Sequence, residues 1–229
     1  MLISGFQKSS FIDYPKKIAA IIFTQGCNFK CPYCHNPELN KINKCETEFS
    51  VSHIVDFLKT RVGKLDGVVI TGGEPTLHKD LPDLIKEIKS MGYLIKLDSN
   101  GTNSTMLKTL IDENLIDYVA MDIKAPLEKY QEVICSKVNL KEIEKSINIL
   151  KTSSIPHEFR TTVVKTQLDK EDFEKIGQLL EGEEIYYLQK FVPTKTLDES
   201  YINSQTYSTE EFEEIKNILL KYIKNVEIR

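Results

Sequence analysis

The strongest constraint on the fold is an alternation of short apolar strand candidates with amphipathic helical segments. The strand candidates are rich in β-branched and aromatic residues and cover 19–24, 67–71, 93–97, 118–121, 159–164 and 185–188. Apolar residues recur at helical spacing over 51–62, 81–88, 104–114, 140–151, 169–181 and 209–224. Strands that alternate with helices in this way favour a parallel sheet with right-handed crossovers.

Six such units are too few to close an eight-unit barrel. The sequence therefore predicts an α/β fold, a partial (β/α)6 TIM-like barrel that is open on one side, with a parallel sheet and outer helices. A length of 229 residues suits one domain over 1–229. We expect an N-terminal extension over 1–17, a barrel core over 18–191, and a C-terminal loop and helix over 192–229.

The charge balance argues against a polyanionic partner. The chain has 30 Lys and Arg against 34 Asp and Glu and no basic block, so neither nucleic acid nor an anionic membrane is expected as a partner. The longest clean apolar run, Ile18 to Phe23, is far shorter than the roughly 20 residues of a membrane span. No export signal precedes it, and we expect a cytoplasmic protein.

Polar strings follow the strand candidates, and in barrels of this type the chemistry lies in the loops at the carboxyl ends of the strands. The first strand leads into a cysteine-rich loop. The later strings are TGGEP (71–75), LDSNG (97–101), MDIK (121–124) and LQKF (188–191). We expect these segments to form the functional site.

The cysteine-rich loop GCNFKCPYCHN (26–36) is compatible with four chemistries. Covalent haem attachment is disfavoured in a cytoplasmic protein, and a CxxC redox pair leaves Cys27 without a role. Zinc could use Cys27, Cys31, Cys34 and His35, but the adjacent Cys34 and His35 project in different directions and no second CxxC occurs. Three thiolates suit a [4Fe–4S] cluster that leaves one iron open to an added ligand. A zinc-binding interaction module stays the alternative from a different class.

The other strings have simple interpretations as well. TGGEP alone is typical of a strand-ending turn, in which glycines permit unusual backbone angles. Asp98 and Asp122 at the strand ends could form an acid–base pair. Their simplest interpretation is capping, or salt bridges to Lys96 and Lys124. The two isolated cysteines, Cys45 and Cys135, are expected to be buried and structural.

The string CNFKCPYC (27–34) resembles the CxxxCxxC motif of radical S-adenosylmethionine (SAM) enzymes. The resemblance extends along the chain: SFIDYP, CHNPEL, TGGEP, LDSNG, MDIKAP, EFRTTVV and YYLQKFVP are similar to the long-form activating protein of anaerobic ribonucleoside-triphosphate reductase, one of the glycyl radical enzyme activators. It implies a [4Fe–4S] cluster on Cys27, Cys31 and Cys34, with SAM bound at the open iron. One electron from the cluster then cleaves SAM to a 5′-deoxyadenosyl radical.

The same resemblance implies roles for residues in the matching strings. It implies SAM or cofactor contacts for Tyr33, His35, Gly72, Gly73, Glu74, Asp98, Ser99, Asn100, Asp122, Ile123, Lys124, Arg160 and Gln189. It also implies oxygen donors to a monovalent cation from Asp98, Ser99, Met121 and Asp122, which suit such an ion. No catalytic side chain is expected, because the cluster and SAM carry the chemistry.

The function implied is that of an oxidoreductase, an activating enzyme that generates a glycyl radical on anaerobic ribonucleoside-triphosphate reductase. That reductase would be the protein substrate, and a flavodoxin or ferredoxin the electron donor. Activation of another glycyl radical enzyme of the pyruvate formate-lyase type is an alternative. A small-molecule radical SAM enzyme, such as a deazaguanine-type synthase, is a further alternative.

Overall fold

The structure is a computed structural model that describes residues 1–41 and 49–229. Its strands are β1 (Ile3–Ser10), β2 (Ala19–Thr24), β3 (Gly67–Gly72), β4 (Leu94–Ser99), β5 (Tyr118–Asp122), β6 (His157–Val163), β7 (Ile185–Lys190) and β8 (Asn225–Ile228). They follow one another in the sheet in the order of the sequence. β1 pairs antiparallel with β2, and the pairs β2–β3, β3–β4, β6–β7 and β7–β8 are parallel. The predicted α/β fold with a mostly parallel, open sheet is confirmed.

The helices are α1 (Val51–Lys59), α2 (Leu81–Ser90), α3 (Ser104–Asp112), α4 (Tyr130–Val133), α5 (Leu140–Thr152), α6 (Lys170–Leu179) and α7 (Thr209–Leu219). Local capping sets where several of them begin. Ser50 accepts a hydrogen bond from the backbone of His53 at the start of α1, and Ser208 with Glu211 forms the predicted capping box of α7. No helix in the described part of the chain is long and apolar enough to cross a membrane.

The sheet has two strands that the sequence pattern did not predict. β1 lies within the predicted extension over 1–17, and β8 follows the last helix in the predicted C-terminal stretch. Both are edge strands. β1 has exposed polar residues in its second half, and β8 has only four residues, so neither has the continuous apolar run of a strand covered on both faces.

The chain divides into two compact units. The first contains Met1–Asn28, Glu38–Ala120 and Glu142–His157, and the second contains Phe29–Pro37, Met121–Lys141 and Glu158–Arg229. The single domain expected over 1–229 stays a prediction.

The first unit has an apolar core on one face of its strands. Tyr14, Ala19, Ile21 and Val69 form a buried cluster, and Phe23, Leu94 and Tyr118 pack against it. Parallel pairing aligns Thr24 with Gly72 at the carboxyl ends of β2 and β3. The loops that follow these two strands therefore start side by side.

Candidate active site

In the first unit, the GGE string lies directly against the beginning of the cysteine loop. Gly73 donates its backbone N–H to the Thr24 carbonyl at 2.9 Å, and Glu74 donates its N–H to the Gly26 carbonyl at 2.8 Å. A Cβ atom on Gly73 would lie 2.1 Å from the Gly26 oxygen and 3.1 Å from the Cys27 nitrogen. Only glycine fits here, because its backbone packs on the backbone that leads to Cys27.

Gly72 also occupies a position that only glycine fits. Its φ is +121°, and a Cβ atom would lie 2.3 Å from the Thr24 nitrogen. The resemblance to radical SAM enzymes implies that both glycines contact SAM. In the structure, both glycines are also required by the protein itself, because they hold the GGE turn against β2 and the cysteine loop.

Glu74 is fully buried and joins two loops. One carboxylate oxygen accepts hydrogen bonds from the Thr76 N–H at 3.1 Å and the Ser99 hydroxyl at 2.9 Å, and the other accepts from the Asn100 N–H at 2.6 Å. The Thr76 hydroxyl also donates to this carboxylate. Burial raises the pKa of Glu74 above its usual value, although these hydrogen bonds favour the ionised form and oppose the rise. Its predicted contact with SAM stays a prediction.

We expect Glu74→Ala to lower the free energy of unfolding by about 3 kcal/mol or more, because several buried donors lose their acceptor. Glu74→Gln should cost about 1–3 kcal/mol, since its amide N–H₂ then faces another donor. Urea unfolding of the purified chain measures both. Glu87→Ala, at an exposed position of α2, is the control and should change stability by about 0.5 kcal/mol or less. Equal losses for Glu74→Ala and Glu87→Ala would contradict the bracing role of Glu74.

The loop after β4 is also tied to the cysteine loop. Asn100 donates its side-chain amide to the Asn28 side-chain oxygen at 2.8 Å, and Asn28 donates to the Thr102 hydroxyl at 2.8 Å. Thr102 in turn donates to the Asn100 side-chain oxygen at 2.7 Å. This ring of three polar side chains holds Asn28, the residue that follows Cys27, in place.

Sequence reasoning predicted a role for Asn100 but missed several residues that hold the cysteine loop. Asn28 and Thr102 are two of them. Gln25 donates its amide to the carbonyls of Glu38 and Lys41, at 3.0 and 2.6 Å, and the His78 ring nitrogen lies 2.9 Å from the Gln25 carbonyl oxygen. Their polar side chains adjoin predicted motifs, but their partners are distant in sequence, so no local pattern indicated them.

In the second unit, Asp122 is the centre of a charged cluster at the end of β5. It accepts a hydrogen bond from the Lys124 ammonium at 2.8 Å and another from the Arg160 guanidinium. The predicted salt bridge of Asp122 to Lys124 is therefore present. Burial by itself would raise the pKa of Asp122, but Arg160 and Lys124 outweigh it and hold that pKa well below its usual range. The three side chains together carry one net positive charge.

The backbone of the MDIK string is held by neighbouring segments of the same unit. The Ile123 N–H donates to the Arg160 carbonyl at 2.9 Å, and its carbonyl accepts from the Thr161 hydroxyl. The Tyr130 hydroxyl donates to the Asp122 carbonyl at 3.3 Å. Ile123 and Met121 are buried. Gln189 is partly exposed on β7, in register with Thr162 of β6.

The second half of the cysteine loop, Phe29–Pro37, also belongs to the second unit. Cys31 is buried, Cys34 is partly exposed, and the Cys34 N–H donates to the Cys31 carbonyl at 3.0 Å. Burial raises the pKa of the Cys31 thiol to about 11, and the Lys124 ammonium opposes this rise. Lys124 therefore favours the thiolate form that binds iron.

The aromatic residues of this loop pack on Phe191, which follows β7. The rings of Tyr33 and Phe191 are 6.4 Å apart in an edge-to-face arrangement, and those of His35 and Phe191 are 5.4 Å apart. Burial raises the pKa of Tyr33 well above its usual value and lowers that of His35. The cofactor contacts predicted for Tyr33 and His35 stay predictions.

The structure tests the predicted burial for one of the two isolated cysteines. Cys135 is exposed, so the expectation of a buried structural thiol is wrong for this residue. It lies just after α4, with a φ of +47°, in a turn that faces solvent. Cys45 lies outside the described residues.

The residues present suit the two cofactors that the resemblance implies. Three thiols occur within eight residues of one loop. In the first unit, the GGE turn packs on the backbone beside the first of them. In the second unit, the Asp122 cluster has a surplus positive charge, which suits a carboxylate. Among the residues that the structure describes, no group of three or more His, Cys, Asp or Glu side chains is arranged to hold a metal ion. In a [4Fe–4S] cubane each thiolate binds a different iron, so its ligands need not converge on one ion.

Comparison with known proteins identifies the family. A family model described as the Radical SAM superfamily matches residues 21–180. A Methanocaldococcus jannaschii protein with the provisional name glycyl-radical enzyme activating enzyme is 38% identical over 234 residues, which cover 100% of this chain and 95% of that protein. Pyruvate formate-lyase-activating enzyme from Staphylococcus epidermidis is 30% identical over 171 residues, 70% of this chain and 68% of the enzyme.

A solved structure shares the fold. A domain of pyruvate-formate lyase-activating enzyme from Bacteroides vulgatus superposes with a TM-score of 0.56 at 21% identity, over 71% of this chain and 98% of that chain. The family match covers most of the chain, including the cysteine loop and the GGE and MDIK strings. The chain therefore belongs to the radical SAM superfamily and is homologous to glycyl-radical enzyme activating enzymes.

Proposed function

We propose that this chain is an activating enzyme that generates a glycyl radical on anaerobic ribonucleoside-triphosphate reductase. The observation that carries the general activity is the 38% identity along the whole chain to a glycyl-radical enzyme activating enzyme homologue. The choice of reductase is supported by the resemblance of the CHNPEL and MDIKAP strings. The reaction takes place in the cytoplasm, with a flavodoxin or ferredoxin as the electron donor.

In this proposal, Cys27, Cys31 and Cys34 hold the [4Fe–4S] cluster. When bound, the reduced cluster and SAM would supply the one-electron chemistry that removes a hydrogen atom from a glycine of the partner protein. The protein holds the reactants in place and excludes water. The Lys124 ammonium opposes the rise in the pKa of the Cys31 thiol that burial causes, and so favours binding of its thiolate to the cluster.

The residues around the cysteine loop bind and orient SAM. The surplus positive charge of Lys124 and Arg160 over Asp122 attracts the SAM carboxylate. Gly73 and Glu74 hold the backbone of the GGE turn beside Cys27, so that its carbonyl groups can meet the SAM ammonium. No side chain has to act as a general base, because a hydrogen atom rather than a proton leaves the glycine.

The test mixes the reduced chain and SAM with the anaerobic ribonucleotide reductase of the same genome. We expect a glycyl-radical doublet in the electron paramagnetic resonance spectrum, since hydrogen abstraction leaves an unpaired electron on the glycine α-carbon. Samples without SAM, or with Cys31→Ala in place of the native chain, should give no doublet.

Two outcomes would contradict this assignment of the reductase as the partner. A doublet on a pyruvate formate-lyase-type enzyme, with a silent reductase, would assign the activity to that partner. Consumption of a small molecule, with no doublet on either protein, would refute the activating role and favour a small-molecule radical SAM enzyme.

A further inference from the structure

Lys96 is a buried lysine in the middle of β4. Only 2% of its surface is exposed, and a lysine is almost never buried to this extent unless its charge is paired. The function proposed above gives Lys96 no role. Its burial in β4, the strand that runs into the LDSNG string, therefore requires an explanation.

The strand pleat places Lys96 on the same side of β4 as Leu94 and Asp98. Leu94 packs against the apolar cluster of the first unit. The neighbour of Lys96 in register on β3 is Val69, a member of that cluster. Lys96 therefore lies on the apolar side of β4. Its ammonium group extends toward Asp98, which is nearer the carboxyl end of the strand.

The ammonium of Lys96 donates a hydrogen bond to the Asp98 carboxylate. The Lys96 side chain is 3% exposed and the Asp98 side chain 13% exposed. A pair that is this well buried is screened little by salt. Loss of the lysine would remove a positive charge from beside a carboxylate in a site of low dielectric constant, which is strongly unfavourable.

This pair bears on the predicted monovalent cation. Each of its two predicted carboxylate ligands already binds positively charged side chains: Asp98 binds Lys96, and Asp122 binds Lys124 and Arg160. The Ser99 hydroxyl, a further predicted ligand, donates to Glu74 and accepts from the Gly101 N–H. An added cation would meet ammonium and guanidinium groups at these carboxylates, so the donor set does not fit it.

We propose that Lys96 is the built-in counter-ion of Asp98, so that this chain binds SAM without a monovalent cation. The covalently attached ammonium holds the Asp98 carboxylate in place and cannot be lost by dilution. Lys96 is a positioning residue, because it acts through Asp98. The SAM measurement below rests on the proposed function, whereas the measurement of stability does not.

The first experiment compares the reconstituted native chain in potassium, sodium and tetramethylammonium chloride at equal ionic strength. We expect the same thermal unfolding midpoint in all three salts. The Kd of SAM, measured by equilibrium dialysis, should change by no more than about twofold. A native chain that needs potassium or sodium for stability or for SAM binding overturns the proposal.

The second experiment removes the lysine. In tetramethylammonium chloride, Lys96→Met should weaken SAM binding at least about tenfold and lower the unfolding midpoint, and potassium or sodium should restore both by binding beside Asp98 in place of the lysine ammonium. The double variant Lys96→Met with Asp98→Asn removes both charges of the pair, so its midpoint should not depend on the cation. A Lys96→Met chain that gains nothing from potassium or sodium contradicts the proposal.

Lys89→Met is the matched control. Lys89 pairs with Asp117 at 2.9 Å in the same unit, but both side chains are more than a quarter exposed, so water can replace the lysine and no cation dependence should appear. If Lys96→Met does not fold, the native chain and the double variant still decide the question. A chain that binds SAM in all three salts but activates no glycyl radical enzyme refutes the proposed function and leaves the role of Lys96 intact.

Discussion

Replacement of Cys27, Cys31 or Cys34 by alanine should abolish cluster binding and SAM cleavage, whereas Cys135→Ala should leave both unchanged. The three loop thiols are the cluster ligands in our proposal, and loss of one leaves an iron without its protein ligand. Cys135 is exposed and lies outside the motif. The measurements are iron per chain after anaerobic reconstitution, expected to be about four in the native chain, and release of 5′-deoxyadenosine after reduction with dithionite.

The same experiment distinguishes a [4Fe–4S] cluster from a zinc site. Stoichiometric zinc, with little iron after careful anaerobic preparation, would support the zinc-binding module instead. Iron loss from Cys135→Ala, with iron retained in a loop variant, would show that the ligands have been assigned incorrectly. Cys45→Ala should leave the iron content unchanged as well.

Gly73→Ala should lower the free energy of unfolding by about 3 kcal/mol or more and suppress SAM cleavage. The added methyl group would lie 2.1 Å from the Gly26 carbonyl oxygen. This contact is to backbone rather than to a flexible side chain, so the cysteine loop or the GGE turn has to move. Urea unfolding measures the first effect, and 5′-deoxyadenosine release measures the second.

Gly63→Ala is the control for adding a methyl group to a glycine. Gly63 has a φ of +74°, and a Cβ atom there would meet nothing within 4 Å. Its replacement should therefore cost only the strain of the left-handed conformation, about 1–2 kcal/mol, and leave SAM cleavage intact. If Gly73→Ala were as mild as Gly63→Ala, tight packing of the GGE turn on the cysteine loop would be refuted.

The sequence predicted most of the fold because its signals are local. β2 begins and ends at the predicted residues, and the other five predicted strands and the six predicted helices are present with changed ends. The largest change is in α7, which ends at Leu219 rather than at the predicted residue 224. Strand alternation and helical spacing depend on neighbouring residues only. β1 and β8 were missed because edge strands need no long apolar run. The burial of Cys135 was predicted wrongly, because one isolated cysteine carries no information about its surroundings.

The site was predicted in part. The strings at the strand ends were located correctly in the sequence, and the salt bridges of Asp98 to Lys96 and of Asp122 to Lys124 were recognised as the simplest interpretation of these carboxylates. The cofactor contacts of the individual residues stay predictions. The roles of Asn28, Gln25 and Thr102 were not foreseen, since each holds a residue that is distant in the sequence.

The sequence by itself determined the order of the strands and helices, the cysteine motif and the polar strings, because each depends on residues that are close together in the chain. Only the tertiary structure decided that Glu74 braces the loop after β4, that Gly73 packs on the backbone beside Cys27, and that Lys96 is buried against Asp98. These facts depend on contacts between strands and loops that folding brings together. The effect of a buried charge, or of a glycine without a side chain, depends on the atoms that surround it. Those atoms come from distant parts of the sequence.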